Sequence, residues 1–102
     1  MEGDAAGATA YAKRAYYLSP APETQDTLGW IMAKGGDTAG ALPLLEQAAS
    51  VKPSPQILYH YAVALNGQGR KLDAKAALDK ALASKTPFDD RGAAATLRAS
   101  LP

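Results

Sequence analysis

A 33-residue period runs through this chain and limits what it can fold into. Gly3, Gly36 and Gly69 mark it; Ala8, Ala41 and Ala74 follow at one fixed distance, and Ala15, Ala48 and Ala81 at another. Ala12, Leu45 and Leu78 fall between the alanines, and the segments close on Leu18-Ser19-Pro20, Val51-Lys52-Pro53 and Ser84-Lys85-Thr86-Pro87. Small, large and turn-forming residues thus return in one register. A period of about 20 to 50 residues marks a solenoid, in which each unit buries its apolar face against the next. Such an array acts by presenting surface, so binding is expected and a substrate is not named.

The 102 residues leave room for one short array but hardly for two independent cores. Apolar residues make up 47%, much of it alanine, which favours closely packed helices over a thick aromatic core. No segment alternates with period two for long enough to argue a strand. The expected class is all-α, an α-solenoid of antiparallel helix pairs with about six helices.

Helix punctuation follows the period. Asp4 is placed to cap a first helix over about residues 5 to 18, which Pro20-Ala21-Pro22 breaks. Pro22 opens a second helix that runs to about Lys34, with Glu23 and Asp26 near its positive end, and Gly35-Gly36 stops it. Asp37 caps a third helix, with Pro43 in its first two turns, reaching about Val51. Ser54-Pro55 opens a fourth, ending about Asn66 before Gly67 and Gly69. A fifth covers about residues 71 to 84, and Thr86-Pro87-Phe88-Asp89 reads as a capping box that starts a sixth, bringing Leu97 and Leu101 onto the fifth.

These residues resemble the tetratricopeptide repeat (TPR), whose pattern sets leucine-glycine in the first helix, Ala-x3-aromatic in the second and a closing proline. One repeat reads Leu28-Gly29, Met32, Gly36-Asp37, Ala41, Leu45, Ala48 and Pro53; the next reads Tyr61-Ala62, Leu65, Gly69, Ala74, Leu78, Ala81 and Pro87. Met32 and Leu65 replace the usual tyrosine, Leu45 and Leu78 the usual aromatic, and each unit is one residue shorter than the family's 34. The resemblance implies the second helix of an incomplete repeat over 1–21, repeats over 22–54 and 55–87, and a C-terminal capping helix over 88–102. On this reading the stripe Ala8, Tyr11, Ala12, Ala15 and Leu18 lacks a neighbour, the parent chain is expected to continue upstream, and self-association through this uncapped helix is the competing use of the surface. More narrowly, Thr27-Leu28-Gly29-Trp30, Leu42-Pro43-Leu44-Leu45 and Tyr59-His60-Tyr61-Ala62-Val63-Ala64-Leu65 are similar to C-terminal repeats of bacterial TPR lipoproteins that accompany the PEP-CTERM/exosortase system. That resemblance implies the periplasm or envelope; otherwise the bacterial cytoplasm stays open.

In the TPR family the first helices of the pairs line a concave groove. Carried onto this chain, the resemblance names Glu23, Asp26, Trp30, Ala33 and Lys34, then Gln56, Tyr59, Val63, Asn66 and Gly67 as the groove that takes a protein or peptide partner. Some members clamp a terminal carboxylate with lysine and asparagine. This chain has Asp26 and Tyr59 where the lysines belong and Trp30 and Val63 where the asparagines belong, so that clamp is not expected. Trp30, the only tryptophan, is either a groove anchor or an indole packed between repeats.

Other signals have plainer readings. His60 is the only histidine, and without partners it supplies neither a metal site nor a triad, so a surface or hydrogen-bonded structural role is expected. Glu23 and Asp26 stand three apart, as catalytic acids might, but first-turn acids also complement the helix dipole. Gly35-Gly36-Asp37 lacks the spaced glycines and the lysine of a phosphate loop. Arg70, Lys71, Lys75, Lys80 and Lys85 form a basic stripe that reads as a solvated outer face.

The formal net charge of +1 argues against a nucleic-acid partner. The halves differ: residues 1–51 carry three basic against six acidic side chains, a net −3, and residues 52–102 carry eight against four, a net +4. Cysteine is absent, so disulfides and thiolate metal sites are excluded. No apolar run approaches a membrane span of about 20 residues, and the N-terminus lacks a signal-peptide layout. The expectation is a noncatalytic interaction module without metal or cofactor, the alternative a structural terminal segment used for repeat stacking.

Overall fold

The computed structural model describes residues 2–102, with side chains from residue 7 onward. It is all-helical: α1 (Glu2–Leu18), α2 (Pro22–Lys34), α3 (Thr38–Val51), α4 (Pro55–Gly67), α5 (Lys71–Ala83) and α6 (Arg91–Ser100). No strand occurs among the described residues. The starts of α2 and α4, their ends, and the starts of α3 and α5 are each 33 residues apart. Each helix packs on its chain neighbour, and α2 also touches α4. No described helix is long and apolar enough to cross a membrane.

The period is enforced at the helix stops. Gly36 and Gly69 have φ of 101° and 78°, a left-handed backbone that costs a glycine little and a side-chain-bearing residue about 1–2 kcal/mol. Each lets the chain fold back so that the next amide bonds the last turn: Asp37 N–H to the Met32 carbonyl and Arg70 N–H to the Leu65 carbonyl, both at 2.9 Å. Asp37 then caps α3 by accepting from Gly40 N–H at 2.9 Å, and Ser54 caps α4 by accepting from Ile57 N–H at 3.3 Å. At α2 the roles are shared differently. Pro22 fills the first turn, and Ala21 N–H donates to Thr24 Oγ1 at 3.1 Å. α1 already includes residue 4, so the expected cap at Asp4 does not stand ahead of the helix, and that side chain lies outside the described ones.

Alanines set the packing. Ala41, Ala48, Ala74 and Ala81 are fully buried, and between them so are Leu45 and Leu78, the period's large residues. Gly29 brings α2 close to α3: a Cβ there would sit 2.7 Å from Leu45 Cγ and 2.9 Å from Cδ2. Its counterpart one period on is Ala62, fully buried beside Leu65 and Leu78. One face of α4, with Ile57, Tyr61 and Ala64, packs against α3, while Ala62 and Leu65 meet α5.

The sixth helix departs from the expected start. It begins at Arg91, not at a Thr86 cap, because the segment before it is held differently. Thr86 N–H donates to Ser84 Oγ at 3.2 Å, and the Arg91 guanidinium donates to the Leu82 carbonyl at 2.9 Å and the Ser84 carbonyl at 3.3 Å. Arg91 thus satisfies the carbonyl end of α5 where a helix has unpaired acceptors. Leu97 and Leu101 do pack on α5, as expected, and Ala94 packs there with them. The flank of that face carries Arg91, Ala95 and Arg98, one period after Leu58, Ala62 and Leu65; Arg98 reaches Asp79 of α5 at 2.6 Å.

Two glycine substitutions separate propensity from packing. Alanine at either helical site gains about 1 kcal/mol of propensity. At Gly92 nothing lies within 4 Å of the added methyl, so Gly92→Ala should stabilise by about 0.5–1 kcal/mol. At Gly29 the methyl meets the branch point of Leu45, where overpacking costs about 1–3 kcal/mol, so Gly29→Ala should be net destabilising. Urea unfolding of both variants checks the opposite signs.

Candidate functional site

The side chains named for the groove fall on α2 and α4, and the structure sorts them. Trp30, three-quarters along α2, is partly buried; its ring stacks on His60 of α4 at 4.0 Å and 14°, and meets Tyr59 at 5.8 Å in a tilted arrangement. Lys34, one turn further on and exposed, sets its ammonium 5.7 Å from the indole centroid, within cation–π reach. Val63 and Asn66 continue the α4 side, and Asn66 Oδ1 accepts from Lys71 Nζ at 3.1 Å.

Beneath the aromatic group lies a polar chain that sequence spacing did not join. His60 is 6% exposed and Asp26 is 8% exposed, with Nδ1 and Oδ1 2.8 Å apart. The carboxylate can only accept, so Nδ1 carries the proton. In the neutral ring Nε2 then accepts, and the Gln56 amide donates to it at 2.9 Å. The same amide donates to Asp90 Oδ2 at 2.5 Å, ahead of α6. Two amide hydrogens meet two acceptors, and the chain ties α2, α4 and the start of α6 together.

This corrects the position of Asp26. It lies under Trp30 as the acceptor for His60 and does not line an open surface, because an isolated carboxylate at that depth needs a hydrogen-bonding partner. His60 takes the hydrogen-bonded structural role. Its signal was its partner: the two stand 34 apart, one more than the period, which brings them together between α2 and α4. Glu23 faces elsewhere and pairs with Lys52. Glu23 and Asp26 therefore serve different partners and share no site.

A second buried amide joins the first three helices. Gln25 Nε2 donates to Gln47 Oε1 at 3.0 Å and reaches the Tyr16 hydroxyl at 3.5 Å. Separate pockets lie along α1: one of about 250 Å³ lined by Ala8, Thr9, Ile31, Lys34 and Gly35, and one of about 210 Å³ lined by Tyr11, Arg14, Ala15 and Leu18. They adjoin the apolar face of α1 and do not hold the Trp30 group. In the basic stripe Arg70 pairs with Asp73 at 2.8 Å, and Lys80 and Lys85 are exposed.

Three titrations carry the imprint of these contacts. Lys52, chiefly through its hydrogen bond, holds the Glu23 carboxyl below its usual range. Burial, then the Asp90 charge, pushes the Tyr59 phenol up. Burial, then Glu46, which accepts from the phenol at 3.2 Å, does the same for Tyr61.

Comparison with protein-family models, with curated proteins and with solved structures found no match for this chain.

Three outcomes test these contacts. Asp26→Ala leaves the His60 N–H buried without an acceptor and should cost about 1–3 kcal/mol, with a shifted Trp30 emission as the stacked imidazole loses its anchor; chemical unfolding followed by fluorescence reads both. The lowered Glu23 value means that its contribution to stability is complete above the unfolded-state value of 4.5 and fades as pH falls through the folded one. Lys52→Ala should return the Glu23 titration upward, as read by carboxyl-carbon NMR.

Proposed function

We propose that the chain is a TPR-like α-solenoid module that binds a peptide or protein segment along the face of α2 and α4, without catalysis, as part of a longer bacterial scaffold. The observation that carries this reading is the partly exposed Trp30 indole, held by stacking on a buried, carboxylate-anchored His60 and flanked by Tyr59. A rigid aromatic with polar neighbours is the usual anchor of a recognition surface. The contact of α2 with α4 supports the solenoid, since first helices of successive pairs meet there. A protein partner suits the small net charge better than nucleic acid does. An envelope or periplasmic setting rests only on the likeness to PEP-CTERM-associated repeat lipoproteins, with the bacterial cytoplasm as its competitor.

Selection from a random peptide display library against the intact chain tests this reading. Enriched peptides should change Trp30 emission and lose binding at Trp30→Ala with little change in melting temperature. Enrichment that survives Trp30→Ala, or no enrichment at all, counts against it.

One observation favours a second reading, in which the molecule is the terminal part of a stacked array. Ala8 is exposed and Ala15 only partly covered, although their counterparts Ala41, Ala74, Ala48 and Ala81 are fully buried. Tyr11 is 79% and Leu18 67% exposed on the same helix. If this face stacks, mass measured against concentration should show association that Tyr11→Ser with Leu18→Ser removes.

A further inference from the structure

The charges on α2 and α4 and on the helices beside them are sorted by which already have partners. Glu23 is neutralised by Lys52, Asp26 is bonded to His60, and Asp79 and Asp73 are paired with Arg98 and Arg70. Two solvent-reaching groups beside the aromatic cluster have no oppositely charged side chain at hydrogen-bond distance among the described residues. Among the described residues Lys34 has no carboxylate partner, and its ammonium rests near Trp30. At the other end Asp90 has a 41% exposed side chain and takes only the Gln56 amide, with His60 Nε2 at 3.9 Å. Asp89 beside it is exposed too. The rise of the Tyr59 phenol, caused in part by Asp90, shows the negative field reaching that aromatic.

We infer that this face takes a dipolar peptide segment, with a basic residue at Asp90, an apolar or aromatic residue over Trp30 and Tyr59, and an acidic residue at Lys34. The inference rests on the peptide-binding reading above and adds the chemistry of the partner. Successive contacts of 5.7 Å, 4.0 Å and 3.9 Å lead from the Lys34 ammonium through Trp30 and His60 to Asp90. An extended peptide covers that span with about four or five residues at ~3.3 Å each. A segment with two basic or two acidic ends would set one charge against its like, which such surfaces reject. A free terminal carboxylate would satisfy Lys34 and leave Asp90 unanswered. Either chain direction meets the requirement, because the match is of end charges and not of backbone polarity.

Four labelled nine-residue peptides test this against the intact chain: a common Leu-Phe centre flanked, five positions apart, by Lys and Glu, by two Lys, by two Glu, or by two Ser. Fluorescence anisotropy should rank the Lys/Glu peptide tightest, by about three- to tenfold over either like-charged peptide at low salt, with the gap narrowing as salt rises. Lys34→Glu, an exposed change, should transfer the preference to the two-Lys peptide. Asp90→Asn keeps an acceptor for Gln56 and should remove the preference for a basic end; circular dichroism checks that both variants stay folded. Equal affinity for all four peptides, unmoved by Lys34→Glu but abolished by Trp30→Ala, would overturn the charge inference and leave the peptide-binding reading standing. Absence of binding by every peptide, including those enriched from the display library, would overturn both.

Discussion

Close approach between helices whose periodic contact positions are alanine is the constraint on which the rest of the structure depends. Ala41, Ala48, Ala74 and Ala81, all at zero exposure, let neighbouring axes come close at those points. Large residues between them, such as Leu45 and Leu78, must therefore enter gaps opposite a glycine or an alanine. Such packing tolerates almost no error in helix length or phase. The glycine stops at Gly36 and Gly69 meet that demand by ending α2 and α4 at the same point of the period and turning the next helix back in the same way.

The buried polar chain fits the same logic. An alanine-lined interior offers little shape specificity of its own, and a hydrogen-bonded pair such as Asp26 with His60 is satisfied in only one register of α2 against α4. Gln56 extends that condition to Asp90, and Gln25 with Gln47 sets a similar one between α2 and α3. Among the described residues no buried side-chain nitrogen or oxygen lacks a hydrogen-bond partner, so the network restricts alternatives without leaving such a group unsatisfied.

Much of the fold was legible in the sequence, since its signals are local and repeated. Pro22, Gly36, Asp37, Ser54 and Gly69 act at a helix end through backbone geometry, and each sits where its type demands. The start of α6 was not legible: Thr86 and Asp89 carry a cap-like pattern, but the guanidinium of Arg91 claims the carbonyls behind it, a tertiary contact that local spacing cannot show. The site divides in the same way. Trp30 and Tyr59 stood out by residue type and share a face, whereas Asp26 looked like a surface acid because its partner lies on another helix. The offset of 34 within a period of 33 was the only trace of that pairing.

Arg91 and Arg98 stand where one period earlier Leu58 and Leu65 are buried, and they hold α6 to α5 by capping a helix end and by meeting Asp79. α1 packs chiefly on α2, and Ala12 is its one fully covered apolar residue among those described. Each end helix leans on one main neighbour, α1 on α2 and α6 on α5, so local opening at either end should expose amide protons ahead of those of α3 and α4, and the Trp30 group lies one helix in from the first of these ends.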